Sequence, residues 1–410
     1  MNRLYYHLKN KGTGQNKPLY TISLMLFFVA IFDGILAFAL PFLITHHGFN
    51  ASQLGLIIGA SSIFGALFDF FLSKFLSNTG FRRMYLAMFC LCLFYPALLW
   101  VSSTASLFIL AMGVWGLYYD LMGFGSFDFV NRVVEKSEHA VSSGVMSVFK
   151  SLGYFLAPIL AGLFVAQTVN PQVFGLAWFF FLAALLMFVL LLLVTKKQKI
   201  PFEKTTRRKI NFLKEIYLWK KIGKQLFPVL IFVAMLTSFD AVFWTLGPLF
   251  SEELKSLHPL GGVLMAAYLL PPLFSGWLVG DLAGKFGQKR TAFYAFLLGS
   301  LTLILIAFCQ SPALLVLVVF VASFFVSLGL PSIKGAVSDY ISETGSVENE
   351  IEGLVDFFIN LGYVVGPVLG GFIANSTGFA NAFSILGAIG VVGAIIVNQL
   401  TPRHIRVRLR

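Results

Sequence analysis

The chain has 410 residues, 58% of them hydrophobic and 12% charged, with a formal net charge of +12. A soluble domain carries about twice that charged fraction, so the composition excludes a soluble enzyme or binding module. Apolar runs of about 18 or more residues recur along the whole length, the signature of membrane-spanning helices.

Taken in chain order, the polar, basic segment 1–18 leads into twelve expected spans: 19–44, 52–73, 84–103, 106–131, 141–167, 173–194, 228–250, 260–282, 291–309, 312–339, 351–376 and 380–400. The first run is too long for a signal-peptide core and is expected to remain as a span. With the N-terminus placed in the cytoplasm, 27 of the 30 Lys and Arg fall on the cytoplasmic side. That bias predicts an inner-membrane protein with both termini cytoplasmic. It also accounts for the basic charge through topology and anionic lipid, with no nucleic-acid partner. Cys90, Cys92 and Cys309 all lie in spans without metal-ligand spacing and read as packing residues. No metal or other cofactor is expected.

The long basic segment divides the spans six and six. The expected organisation is an N-terminal half at 1–195, a cytoplasmic linker at 196–227 and a C-terminal half at 228–410. Within the linker, Phe212, Ile216 and Trp219 fall at roughly helical spacing between lysines. This fits either an amphipathic surface helix or a solvated basic connection.

The halves repeat. Phe32-Asp33, followed by Pro41, recurs 207 residues later as Phe239-Asp240, followed by Pro248. The loop Ser73–Arg83, with Gly80, Arg82 and Arg83, matches Gly280–Arg290, with Lys285, Gly287, Lys289 and Arg290. At an offset of 209, Leu152-Gly153-Tyr154-Phe155-Leu156-Ala157-Pro158 matches Leu361-Gly362-Tyr363-Val364-Val365-Gly366-Pro367. An even number of spans per copy makes the two halves parallel across the membrane.

On these residues the chain resembles the major facilitator superfamily, nearest to its drug/proton antiporter-like members. The resemblance implies an all-α membrane protein of twelve transmembrane helices in two parallel-repeat six-helix halves. The loop motif is degenerate: Ser73 and Ser77 stand where the family has Gly and Asp, and Gly284 replaces the acid in the second copy. Asp69 or Asp281 is the nearby substitute. The fifth-span stretch Gly153-x-x-x-Ala157-Pro158 resembles the antiporter motif and matches it imperfectly. The eleventh-span stretch Gly362-x-x-x-Gly366-Pro367 matches it better, at a less diagnostic place. Small residues every four positions provide a flat face for close helix packing, so Gly153, Pro158, Gly362, Gly366 and Pro367 are expected packing positions.

Embedded acids supply the expected chemistry. A carboxylate deep in an apolar span is costly and marks a functional candidate. Asp33, Asp120 and Asp240 fall near mid-depth of spans one, four and seven, helices that line the central cavity of the fold the chain resembles. Burial favours the protonated form of a carboxyl group. Such a group can load a proton, or pair with a cationic substrate, in turn. Phe32, Phe239 and Trp244 flank these acids as candidate substrate-stacking residues. Closer to the inner face, Asp128 and Arg132 share a helix face. With Asp69, Arg82, Arg83, Lys150, Asp281, Lys289, Arg290, Lys334 and Asp356 they form an expected inner gate of ion pairs, with Lys150 and Lys334 drawing on Asp120, Asp128 and Asp356.

The expected function is secondary active transport, not enzymatic catalysis: no nucleotide-binding loop and no clustered catalytic set is present. The leading expectation is proton-coupled efflux of an amphiphilic or cationic small molecule by a monomer that meets substrate, protons and membrane lipid. The alternatives are a proton-coupled importer or facilitator of a sugar, organic acid or other metabolite, or a lysolipid flippase.

Overall fold

The computed structural model describes residues 17–75, 79–135, 138–165, 169–195, 212–344 and 348–401. The basic tails and most of the expected linker lie outside them. Six helices come first: α1 (Lys17–His46), α2 (Ala51–Phe75), α3 (Phe81–Val101), α4 (Ala105–Val133), α5 (His139–Ala161) and α6 (Gln172–Thr195). Seven follow: α7 (Phe212–Leu257), α8 (Leu264–Leu269), α9 (Pro272–Phe286), α10 (Gln288–Ile304), α11 (Pro312–Thr344), α12 (Glu348–Thr377) and α13 (Phe379–Leu400). Twelve segments are long and apolar enough to cross a membrane. The chain is all-α because a bilayer leaves no water to satisfy open backbone groups, and a helix satisfies its own.

Two elements differ from the sequence expectation. Helix α7 runs unbroken for 46 residues from Phe212, about 69 Å at 1.5 Å per residue, so the expected start of the seventh span at 228 is one point inside a longer helix. Pro228 is carried within it. The eighth span, expected as continuous over 260–282, is broken instead. A 3-10 turn at Pro259–Val263 leads into the six-residue α8, and the helix is interrupted at Leu270 and Pro271, whose backbone dihedrals stay right-handed helical, before α9. Consecutive prolines, Pro271 and Pro272, supply no N–H to the ladder and crowd the preceding turn.

The chain divides into two compact units, Met1–Leu43 with Leu67–Thr206, and Ile44–Ala66 with Arg207–Arg410. The first part of α2 therefore belongs with the C-terminal helices, which a cut by repeat does not anticipate. The reason is close backbone approach. A Cβ on Gly55 would collide with the Pro367 carbonyl of α12, and one on Gly371 of α12 would collide with the Ala51 carbonyl of α2.

The small residues act alike within each unit. In the first, Gly153 of α5 lies against the Phe27 carbonyl and Ala30 of α1, and Gly34 of α1 lies against Ala157 of α5. In the second, Gly362, Gly366 and Gly370 of α12 lie against Ala234 and Thr237, Ser238, and Val242 of α7. Hydroxyls reach across this seam. Thr237 Oγ1 lies 3.1 Å from the Val233 carbonyl of its own helix and 3.2 Å from the Ile359 carbonyl. Ser238 Oγ lies 2.7 Å from the Ala234 carbonyl and 3.1 Å from the Gly362 carbonyl, so each hydroxyl shares its one hydrogen between the two helices. Pro158 and Pro367 sit inside α5 and α12 respectively.

Candidate functional site

Asp33 is buried in α1, with 2% of its surface exposed. Three aromatic donors close on it. Trp115 Nε1 of α4 donates to Oδ1 at 2.7 Å. The Tyr118 hydroxyl, also of α4, donates to the same oxygen in a short bond. The Tyr154 hydroxyl of α5 donates to Oδ2 at 2.7 Å. Trp115 and Tyr118 are three apart, so one face of α4 presents both. Tyr154 follows Gly153, and the close approach of α5 to α1 at that glycine brings its hydroxyl within reach.

Asp240, half-buried in α7, has a related but smaller set. The Tyr363 hydroxyl of α12 donates to Oδ2 and the Tyr268 hydroxyl of α8 to Oδ1, each at 2.5 Å. Tyr363 is the repeat counterpart of Tyr154 and also follows a packing glycine, Gly362. The second donor differs in origin, coming from α4 in the first unit and from the broken eighth span in the second. The Tyr268 ring stacks on Phe243, with centroids 4.0 Å apart and planes 12° apart. Its carbonyl accepts from the Ser323 hydroxyl of α11.

These tyrosines and Trp115 were absent from the sequence candidates. Tyr154 and Tyr363 carried a readable signal, since both occupy the same place in the 209-residue repeat. Tyr268 carried none, because its counterpart at the 207-residue offset is Ser61.

The other predicted residues fall elsewhere. Asp120 is half-buried on α4, two residues beyond Tyr118 and so about 200° around the helix. The structure groups Asp33 with Trp115 and Tyr118 instead. Lys150 donates to the Tyr119 hydroxyl at 3.2 Å, and its ammonium lies 4.5 Å from the Tyr119 ring centre and 5.7 Å from that of Tyr154. Phe32 is buried against Tyr118 and Phe181. Phe239 packs on Phe296 and lines an apolar cavity of about 120 Å³ with Phe243, Val365 and Phe383. Trp244 is half-buried one turn beyond Asp240.

The basic-loop residues of the first unit join helix ends. Asp128 Oδ2 of α4 accepts from the Phe81 backbone N–H at 2.7 Å, and its Oδ1 accepts from Arg132 Nε at 2.6 Å. The first bond satisfies an open donor at the start of α3 and sets a negative charge there, favourable against the helix dipole. Arg82 Nη2 donates to the Thr195 carbonyl at 2.7 Å, closing the end of α6. Asp128→Ala should lose the cap and the ion pair with Arg132, lowering stability by about 1–3 kcal/mol, read as a lower melting temperature of the purified protein. In the second unit Lys334 is an electrostatic neighbour of Asp356. Arg83, Asp281 and Arg290 are exposed and Lys289 is half-buried. The Asp69 side chain lies outside the described residues.

The sequence model of the Major Facilitator Superfamily matches residues 22–347 and 230–408. The chain belongs to the Major Facilitator Superfamily. It is 26% identical over 361 residues to the uncharacterised MFS-type transporter YuxJ of Bacillus subtilis (strain 168), covering 86% of this chain and 88% of the relative. It is 21% identical over 403 residues to the quinolone resistance protein NorA of Staphylococcus aureus, covering 96% and 99%. The crystal structure of the nucleoside transporter NupG superposes with a TM-score of 0.74 at 12% identity, covering 94% of this chain and all of that one, a likeness of fold. As a Major Facilitator Superfamily protein the chain is an integral membrane secondary transporter of a small-molecule substrate, not an enzyme. Its twelve-helix fold is that of the superfamily.

Proposed function

We propose that this chain exports an amphiphilic or cationic small molecule in exchange for protons, by alternating access, as a monomer with both termini in the cytoplasm. The observation that carries the reading is the pair of intramembrane carboxylates, Asp33 and Asp240, held by neutral donors. Among the described residues neither has a salt-bridge partner. A carboxylate kept out of water with no ion pair in direct contact can take a proton or meet a cationic group, and exchange needs one group to do both in turn. The aromatic rings around both acids suit a flat, partly apolar substrate. The quinolone resistance protein among the relatives fits the same direction, since export is one way to resist a drug.

Proteoliposomes loaded with ethidium, an aromatic cation, test this. Ethidium movement by the native protein should accelerate when a proton gradient of opposite direction is imposed and return to baseline with a protonophore. The double variant Asp33→Asn, Asp240→Asn should lose the gradient-driven part, a fall of roughly tenfold or more, equivalent to about 1.4 kcal/mol or more. Native transport that ignores the pH gradient would sink proton coupling.

A further inference from the structure

The two carboxylates occupy equivalent places in the repeat, yet their surroundings differ in three ways that bear on the proton. We infer that Asp240 is the group that takes up and releases the coupling proton, while Asp33 stays ionised and ties α1 to α4 and α5. The inference deepens the proton-coupled reading and rests on it for the word coupling.

The first difference is the kind of donor. An indole N–H can only donate, whereas a tyrosine hydroxyl can donate or accept. Asp33 Oδ1 already receives Trp115 and Tyr118. A carboxyl proton would therefore go to Oδ2, and there it would displace the hydrogen that Tyr154 now offers. The Tyr154 hydroxyl would have to turn round, so Asp33 has only one oxygen at which a proton is accommodated. The ionised carboxylate satisfies all three donors at once, and three hydrogen bonds to the charged form favour that form. At Asp240 both partners are hydroxyls, so a proton on either oxygen is accommodated when the tyrosine on that side reverses.

The second difference is charge. The titratable groups around Asp33 are Cys92 and Tyr95 of α3, Tyr118 of α4, and Tyr154 with Lys150 of α5. Lys150 supplies a positive charge one helical turn from Tyr154. Around Asp240 the described groups are Tyr268 of α8 and Tyr363 of α12, neither of them cationic. The third difference is access: Asp33 is 2% exposed, whereas Asp240 is half-buried. A proton has to reach the group that carries it.

The assignment also gives the proton something to move. Tyr268 stands on the six-residue α8, between a 3-10 turn and the break at Leu270 and Pro271. Reversal of its hydroxyl replaces a bond to a charged acceptor by a weaker neutral one, loosening the tie between that short helix and α7. On the other oxygen, Tyr363 is a positioning residue at the packed seam of α7 with α12.

Infrared difference spectra of the full-length protein in lipid, recorded on acidification, follow the C=O band of protonated carboxyl groups. Carboxylates common to all variants cancel in the comparison. The native protein should show a buried-carboxyl band that is lost in Asp240→Asn and kept in Asp33→Asn. Tyr363→Phe should move the titration midpoint of that band, and Tyr154→Phe should leave it in place. Loss of the band in Asp33→Asn with retention in Asp240→Asn overturns the assignment. So does a band shared between the two variants, or no such band in the native protein. Should Asp33→Asn not yield protein, the Tyr154→Phe and Tyr363→Phe pair decides the same question, and a midpoint moved by Tyr154→Phe alone overturns it. The readout does not depend on transport. A band that belongs to Asp240 in a protein whose transport ignores the pH gradient upholds the protonation site and removes only the coupling reading.

Discussion

Asp33→Ala should yield little folded protein, whereas Asp33→Asn should fold close to normally. Alanine removes the oxygen that accepts from Trp115 Nε1 and the Tyr118 hydroxyl, and the one that accepts from Tyr154. A buried donor left without a partner costs about 1–3 kcal/mol. Tyr118 is buried and Trp115 and Tyr154 are half-buried, so the three lost bonds, partly relieved by hydroxyl rotation and by loss of a buried charge, come to about 2–5 kcal/mol. That is a large share of the stability of an ordinary domain. Asparagine keeps an oxygen for Trp115 and Tyr118, and its amide can donate to a reversed Tyr154 hydroxyl. Fluorescence-detected size exclusion after a heating series measures both variants. Equal melting of Asp33→Ala and native protein would show that the three donors find other partners.

Gly366→Leu should be as damaging, for a steric reason. A Cβ on Gly366 would lie on the Ser238 backbone of α7, and backbone cannot swing aside as a long side chain can. Helix α12 would have to retreat along the seam that carries the Thr237 and Ser238 bonds and sets Tyr363 on Asp240. Overpacking in a dense interior costs about 1–3 kcal/mol even when side chains yield. Against backbone, loss of the folded protein is expected. Gly366→Ala sets the same Cβ against the same backbone and should cost at least the upper part of that range, less than leucine only by the missing side-chain atoms. Gly276 of α9, where an added Cβ meets nothing within 4 Å, is the control: Gly276→Leu should melt with the native protein. The same size-exclusion assay reads all three, and a native-like Gly366→Leu would mean that α7 and α12 are less tightly joined than their backbones indicate.

Much of the site was legible because the acids are isolated in apolar runs and repeat. Asp33 and Asp240 stand out in sequence because nothing polar surrounds them along the chain. Their partners do not, since a tyrosine among many aromatic residues carries no local mark of its hydroxyl bond. Tyr154 and Tyr363 are the exception, repeating in register beside packing glycines. Asp128 and Arg132 were readable as an i,i+4 pair. That Asp128 also caps α3 depends on two helices meeting, which helix periodicity does not encode. The path of α7 back to Phe212 was legible only as one of two alternatives, a separate surface helix, and its continuity with the seventh span was not. Its first turns are basic and amphipathic, and span detection follows apolar length.

The sequence by itself determined the twelve spans, the repeat, the two acids and the family, because hydrophobic length and charge placement act locally and in register. Only the tertiary structure decided which groups hold each acid, that α2 in part belongs with the C-terminal unit, and that the eighth span breaks beside Asp240. Those depend on which glycine lets which backbone come close, and on where a hydroxyl then falls. The repeat makes Asp33 and Asp240 equivalent along the chain, and the donors that packing brings to them make them different in chemistry.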